Sequence, residues 1–112
     1  MGKHQLGEFE EIVMLTVGVL FGDAYGVSIK KVIEERQKRN VSVGALQSAL
    51  KRLEDKGYLS SHEGESTSER GGRPKRYFTI TAQGKHAIEE TRAMRNDLYN
   101  SIPRVALDVK IG

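Results

Sequence analysis

At 112 residues and 38% hydrophobic content, the chain has room for one domain with one small core, because two domains would each approach the size at which a core fails without metals or disulfides. It contains no cysteine, which excludes disulfide scaffolds, iron–sulfur clusters and thiolate zinc. Its 18 basic and 15 acidic residues leave a formal charge of only +3, so where the charges lie matters more than their sum.

The opening Met1-Gly2-Lys3-His4 leads through acidic residues into a short apolar run. That order is unlike a secretion signal, and a run of about ten residues is too short to cross a bilayer, so no membrane contact is expected. Residues 8–20, EFEEIVMLTVGVL, start with carboxylates that suit the unpaired N–H groups of a helix N-terminus. The apolar series alone would also suit a buried strand; its length and acidic lead-in predict a helix buried on most sides. Gly18 costs that helix about 1 kcal/mol relative to alanine, and close packing against another helix accounts for it.

Residues 21–26 form a turn, with glycines supplying backbone freedom. A second helix is expected over 27–38, with Val27, Ile29, Val32 and Ile33 inward and Lys30, Lys31, Glu34 and Glu35 toward water. Arg39-Asn40 closes it, the asparagine tolerating a left-handed backbone. Ser42 caps a third helix ending near Lys56. Its apolar stripe is Ala45, Leu46, Ala49, Leu50 and Leu53, opposite Gly44, Gln47, Ser48, Lys51, Arg52 and Asp55, and Gly57 terminates it.

The period then changes. Residues 58–62 and 75–80 are predicted strands, the second with Phe78 and Ile80 alternating around Thr79. A polar loop over 63–73 joins them into a hairpin, with Pro74 at the head of the returning strand. Thr81 caps a last helix running to about Ser101, striped by Ile88, Thr91, Met94, Leu98 and Ile102. Residues 103–112 are expected to be poorly ordered. The expected organisation is a domain over 1–81, a dimerisation helix over 82–102 and the tail.

Three helices followed by a two-stranded hairpin define an α+β winged helix-turn-helix, which places its third helix in the major groove of DNA. On that helix Gln47 matches the N6 and N7 groups of adenine. Ser48 suits a base or a phosphate, Gly44 lets the backbone come close, and Lys51 and Arg52 suit phosphates or guanine. Ser42 can cap the helix while the helix N-terminus holds a phosphate. In the hairpin, Arg70, Arg73, Lys75 and Arg76 form a basic wing able to follow a backbone or enter a narrow minor groove; the plain alternative is a charged loop. Tyr25 either donates to a phosphate or packs. A second basic cluster, Lys30, Lys31, Arg36, Lys38 and Arg39, encloses Glu34 and Glu35, which favours solvated surface over a polyanion contact.

No enzymatic constellation is present. His4, His62 and His86 are scattered without metal spacing, and there is no nucleophile elbow or phosphate loop. No metal or cofactor is expected. The competing reading is a winged helix that docks on another protein without specific DNA binding.

Several segments together resemble the PadR-like family of winged helix-turn-helix transcriptional regulators over about residues 6–100. They are Tyr25-Gly26-Val27-Ser28-Ile29, Ser42-Val43-Gly44-Ala45-Leu46, the run from Leu50-Lys51-Arg52-Leu53-Glu54 through Gly57-Tyr58-Leu59, and Gly72-Arg73-Pro74-Lys75-Arg76-Tyr77-Phe78-Thr79-Ile80-Thr81 followed by Gly84. The resemblance implies a cytoplasmic homodimer that represses a promoter through a palindromic operator and responds to small aromatic or drug-like molecules. It also implies that the last helix, through Ile88, Thr91, Met94, Leu98 and Ile102, is the dimerisation element, in the short form with one C-terminal helix. Two departures stand out. Gln47-Ser48 occupies the place of the family's usual Tyr-Pro pair, and the chain lacks the tryptophan that lines a drug pocket in some members. Phe9 and Tyr99 are the remaining aromatic candidates for such a pocket, each with a core role as its alternative.

Overall fold

The computed structural model describes residues 6–66 and 74–110. The order of elements is α1 (Glu8–Val19), α2 (Gly26–Gln37), α3 (Val43–Asp55), β1 (Leu59–Ser66), β2 (Pro74–Ile80), α4 (Ala82–Ser101) and α5 (Arg104–Leu107). This is the α+β winged helix-turn-helix expected from the sequence. Among the described residues no helix is long and apolar enough to cross a membrane.

α1 begins where Glu10 reaches back to accept from the Gly7 N–H (3.0 Å), leaving the helix start satisfied by a carboxylate as its macrodipole favours. Val13, Met14 and Val17 point into the core. The expectation of burial on most sides fails on one face: Leu15 and Val19 are exposed, and these two follow Glu11 at four-residue intervals along one side of the helix. Gly18 faces the end of β2 rather than another helix, since a Cβ there would lie 3.3 Å from the Ile80 side chain.

α2 is capped in reverse. The Ser28 hydroxyl accepts from the Tyr25 N–H (3.0 Å) and donates to the Asp23 carbonyl (2.6 Å). Ile29 and Ile33 seat the helix. Its end differs from expectation: the left-handed residue is Lys38, at φ 53°, not Asn40. The cause is Glu34, whose carboxylate accepts from the Val41 N–H (2.9 Å) and draws the chain back over the last turn. That bond and the Lys30 ammonium at 3.1 Å hold the Glu34 carboxyl below its ordinary range.

Ser42 caps α3 by accepting from the Ala45 N–H (3.0 Å). Leu46, Ala49, Leu50 and Leu53 are all buried. At the other end the Gly57 N–H donates to Glu54 and the Tyr58 N–H to Leu53, each at 2.9 Å. This paired closure needs a left-handed residue after the helix, which Gly57 supplies at φ 82°.

The hairpin is antiparallel, with Leu59 opposite Ile80, Ser61 opposite Phe78 and His62 opposite Tyr77. β1 runs on to Ser66, past the expected end at residue 62, through a bulge between Glu63 and Ser66. Gly64 permits the extension, because any Cβ there would strike the Tyr77 ring. Before α2, the Ala24 carbonyl accepts from the Phe78 N–H (2.8 Å) and Tyr25 bridges to Tyr77, so the helix-turn-helix and the wing share one backbone ladder.

Thr81 joins the ends of two helices. Its hydroxyl accepts from the Gly84 N–H (3.0 Å) to cap α4 and donates to the Gly57 carbonyl (2.6 Å) behind α3. Gly84 is buried where a Cβ would collide with the Tyr58 carbonyl and come within 2.9 Å of the Met14 methyl, which fixes glycine there by close approach. Beyond Thr91 every residue of α4 is exposed, as is all of α5. The radius of gyration, 17.0 Å, exceeds the roughly 13 Å of a compact chain of this length.

Candidate nucleic-acid interface

α3 packs its leucine stripe inward, which turns Gly44, Gln47, Ser48 and Lys51 outward together, all of them exposed. The sequence placed them on one face, and the structure keeps them there. Nothing lies within 4 Å of a Cβ added at Gly44, so no intramolecular contact accounts for the glycine. Gln47 rests against the first turn of α2, its Nε2 lying 3.2 Å from where a Cβ of Gly26 would be. Gly26 thus makes room for Gln47, a role beyond the turn flexibility that its position in the sequence suggests. Lys51 is largely free in water, with only Asp55 at 3.5 Å, and an exposed i,i+4 pair of this kind holds its cation weakly. Ser42 is committed to its cap, as expected of a residue whose helix start remains open to an anion.

Arg52 takes a different position from the other candidates. Its Nε donates to Glu10 at 3.2 Å, and Lys56 joins the same carboxylate at 3.2 Å. Glu10 is only 7% exposed. Burial alone would raise its carboxyl, yet the Gly7 N–H, Arg52 and Lys56 outweigh that and hold it below the ordinary range. Arg52 therefore fastens α3 to α1, on the opposite edge of the exposed face from Gln47, about 140° around the helix. The sequence signal for Glu10 is its place three residues after the helix cap; its pairing across 42 residues leaves no local trace.

The wing meets this face through Tyr25. Lys75 Nζ lies 4.3 Å from the centre of the Tyr25 ring, and Tyr77 packs edge-on to the same ring at 5.6 Å. His62 stacks on Tyr77 at 5.8 Å between ring centres. Tyr25 thus packs, half-buried, as one of its two expected roles. Arg76 donates to the Ser61 hydroxyl (2.7 Å), which in turn donates to Glu54 (2.5 Å). The base of the wing is tied to α3 by that chain of bonds. Arg70 and Arg73 lie outside the described residues.

The second basic cluster is partly neutralised: Lys30 pairs with Glu34 at 3.1 Å and Arg39 with Glu8 at 3.2 Å. The Arg39 guanidinium also lies over the Phe9 ring, 5.4 Å from its centre. Phe9 itself packs against the core, whereas Tyr99 is exposed.

The helix expected to mediate dimerisation divides in two. Thr91 is buried within the chain and Ile88 packs against its core, whereas Met94, Leu98 and Ile102 are exposed. Arg95, in the exposed half, pairs with Glu11 of α1 at 2.8 Å. This sets the start of the outer half of α4 beside the first turn of α1.

The family model described as "Transcriptional regulator PadR-like family" matches residues 15–90. Among solved structures, a PadR-like transcription factor from Bacteroides fragilis is 28% identical over 87% of this chain and 88% of its own, with a TM-score of 0.72. A PadR family transcription regulator from Clostridium difficile R20291 is also 28% identical, over 80% of this chain and 91% of its own, at a TM-score of 0.62. One from Eggerthella lenta DSM 2243 shares the fold at 24% identity, with a TM-score of 0.68 over 92% of this chain and 88% of its own. A direct search of curated proteins finds no match.

Proposed function

Since the chain belongs to the PadR-like family of transcriptional regulators, we propose that it represses transcription as a cytoplasmic homodimer bound to a palindromic operator and released by a small aromatic or drug-like molecule. Gln47, with Gly44 and Ser48, reads base edges in the major groove. Lys51 and the helix start at Ser42 hold phosphates, while Arg52 anchors α3 to α1 through Glu10. Tyr25 positions the base of the wing, and Lys75 and Arg76, with Arg70 and Arg73, engage the backbone.

The observation that supports this reading most is the outward face of α3. It gathers a free amide, a hydroxyl and a cation around a glycine that the fold does not require, beside the cations at the base of the wing. A protein-docking surface would have favoured an apolar or acidic patch at that position. Dimerisation is supported by the outer half of α4, where Leu98 is 61% exposed beside Met94 and Ile102, since monomers seldom leave such a stripe uncovered. Two recognition helices roughly 34 Å apart would read half-sites one helical turn apart, and an effector acts by changing that spacing.

The test is selection of bound duplexes from a random-sequence pool in excess competitor DNA. Enrichment of an inverted repeat supports the reading. Failure to enrich any sequence, with retention of duplex only at low salt, shifts the function to non-specific DNA binding; no retention at all favours protein docking. On the selected duplex, Lys75→Ala with Arg76→Ala lowers affinity for all sequences alike and reduces the slope of affinity against salt by about 1 to 2 units.

A further inference from the structure

Two exposed valines stand at the first turns of the helix-turn-helix. Val27, at the start of α2, is 59% exposed and Val43, the first residue of α3, is 62% exposed. Neither contributes to the buried core. They line a cleft of about 180 Å³ between α2, α3 and β2, with Leu46 and Phe78 in its wall and Gln47 and Arg76 at its polar edge. That volume falls below the roughly 300–1,000 Å³ of pockets that enclose a small-molecule ligand. The cleft suits the edge of a larger partner.

The chemistry of that partner is constrained from two sides. Arg76 on the cleft, and Lys75 beside Tyr25, call for a polyanion. The valines call for an apolar group presented by that polyanion. In the major groove of DNA the exposed apolar group is the C5 methyl of thymine. Resting on the reading of α3 as the recognition helix, we infer that Val43 and Val27 form a socket for a thymine methyl, in the same base pair as the adenine read by Gln47 or the adjacent one. The Gln47 amide lies against Gly26 and lines the same cleft as the two valines. Among the described residues it makes no hydrogen bond, so it is free to read the base beside the methyl. The socket makes α2 part of sequence reading, in addition to its place in the fold.

The experiment uses the full-length protein and the duplex selected above, with each thymine replaced in turn by deoxyuridine. This removes one methyl group and keeps every hydrogen-bonding position. The expected result is a loss of about four-fold in affinity per half-site at one symmetry-related thymine, the value of one buried methyl, with little change elsewhere. Val43→Ala then binds the thymine and uracil duplexes equally at that position while keeping the wild-type salt slope. Val27→Ala reduces the discrimination in part. Both positions are exposed, and an unchanged melting temperature verifies the fold of each variant.

The socket is overturned if the wild-type protein binds the selected duplex specifically and no uracil substitution changes its affinity by more than about two-fold. It is also overturned if Val43→Ala keeps the full preference for thymine. Both outcomes leave operator binding intact, whereas failure to select any duplex removes the parent reading and the socket together.

Discussion

Residues before and after Thr91 belong to one continuous helix but have opposite surroundings. In the first half of α4, Gly84 and Ala87 are buried against α1 and the start of the hairpin, and Thr91 is only 4% exposed. In the second half, Met94, Leu98 and Tyr99 project into solvent. The same apolar repeat runs through both. The first half is finished within the chain, with contacts so close that one position admits no side chain; the second half is an apolar surface that the chain's own fold leaves open. Helical periodicity therefore reports that a face is apolar, but not which chain covers it.

The sharpest way to break this contrast is at Gly84. Gly84→Val forces a side chain into the Tyr58 carbonyl and the Met14 methyl and should cost about 3 kcal/mol or more, a fall in melting temperature of about 10 °C or more. A loss below about 1 kcal/mol would mean that α4 is not held as closely as the structure shows.

Leu98→Asp tests the opposite half. Sedimentation should show dimer association weakened by at least about ten-fold, from burying a charge in an apolar contact. The stability of the separated protomer should stay within about 0.5 kcal/mol, as for an exposed site. A wild-type chain that sediments as a monomer at micromolar concentration would remove the role assigned to this face.

Next in size is Glu10→Gln, which loosens α1 from α3 at a cost of about 1 kcal/mol at neutral pH. Glu10 is held below its ordinary carboxyl value of 4.5 in the folded chain. Its contribution is therefore complete above about pH 4.5 and lost as pH falls through the lowered value. The difference between wild type and variant in urea titrations should shrink from pH 6 toward pH 3, and a constant difference would break the assignment. Glu34, also lowered, is present in both proteins and cancels.

The smallest effect is at the boundary itself. The Thr91 hydroxyl is buried without a hydrogen-bond partner among the described residues. Thr91→Val removes that unpaired group at nearly the same shape and should be neutral or stabilising by up to about 1 kcal/mol. A marked loss, seen only at concentrations where the chain is dimeric, would place the partner of this hydroxyl on the second protomer.

The periodic elements were readable because local rules decide them: the cap at Ser42, the stripe ending at Leu53 and the glycine at 57 each act within a few residues. The sequence reading missed contacts that join distant segments. Arg52 looked like any outward cation of a recognition helix until Glu10, on another helix, took its guanidinium. Gly26 and Gly64 resembled turn residues, yet each clears space for a side chain from elsewhere, Gln47 in one case and Tyr77 in the other. Val27 and Val43 were missed for a related reason. A valine near a helix start is expected to point inward, and only the packed arrangement of α2 and α3 shows both left outside.

Glu10 and Glu11 are consecutive, about 100° apart around α1. One grips the back of α3 through Arg52 and Lys56; the other grips α4 through Arg95. The first turn of α1 is therefore a junction, where two neighbouring carboxylates tie one helix to two others that do not follow it in the chain.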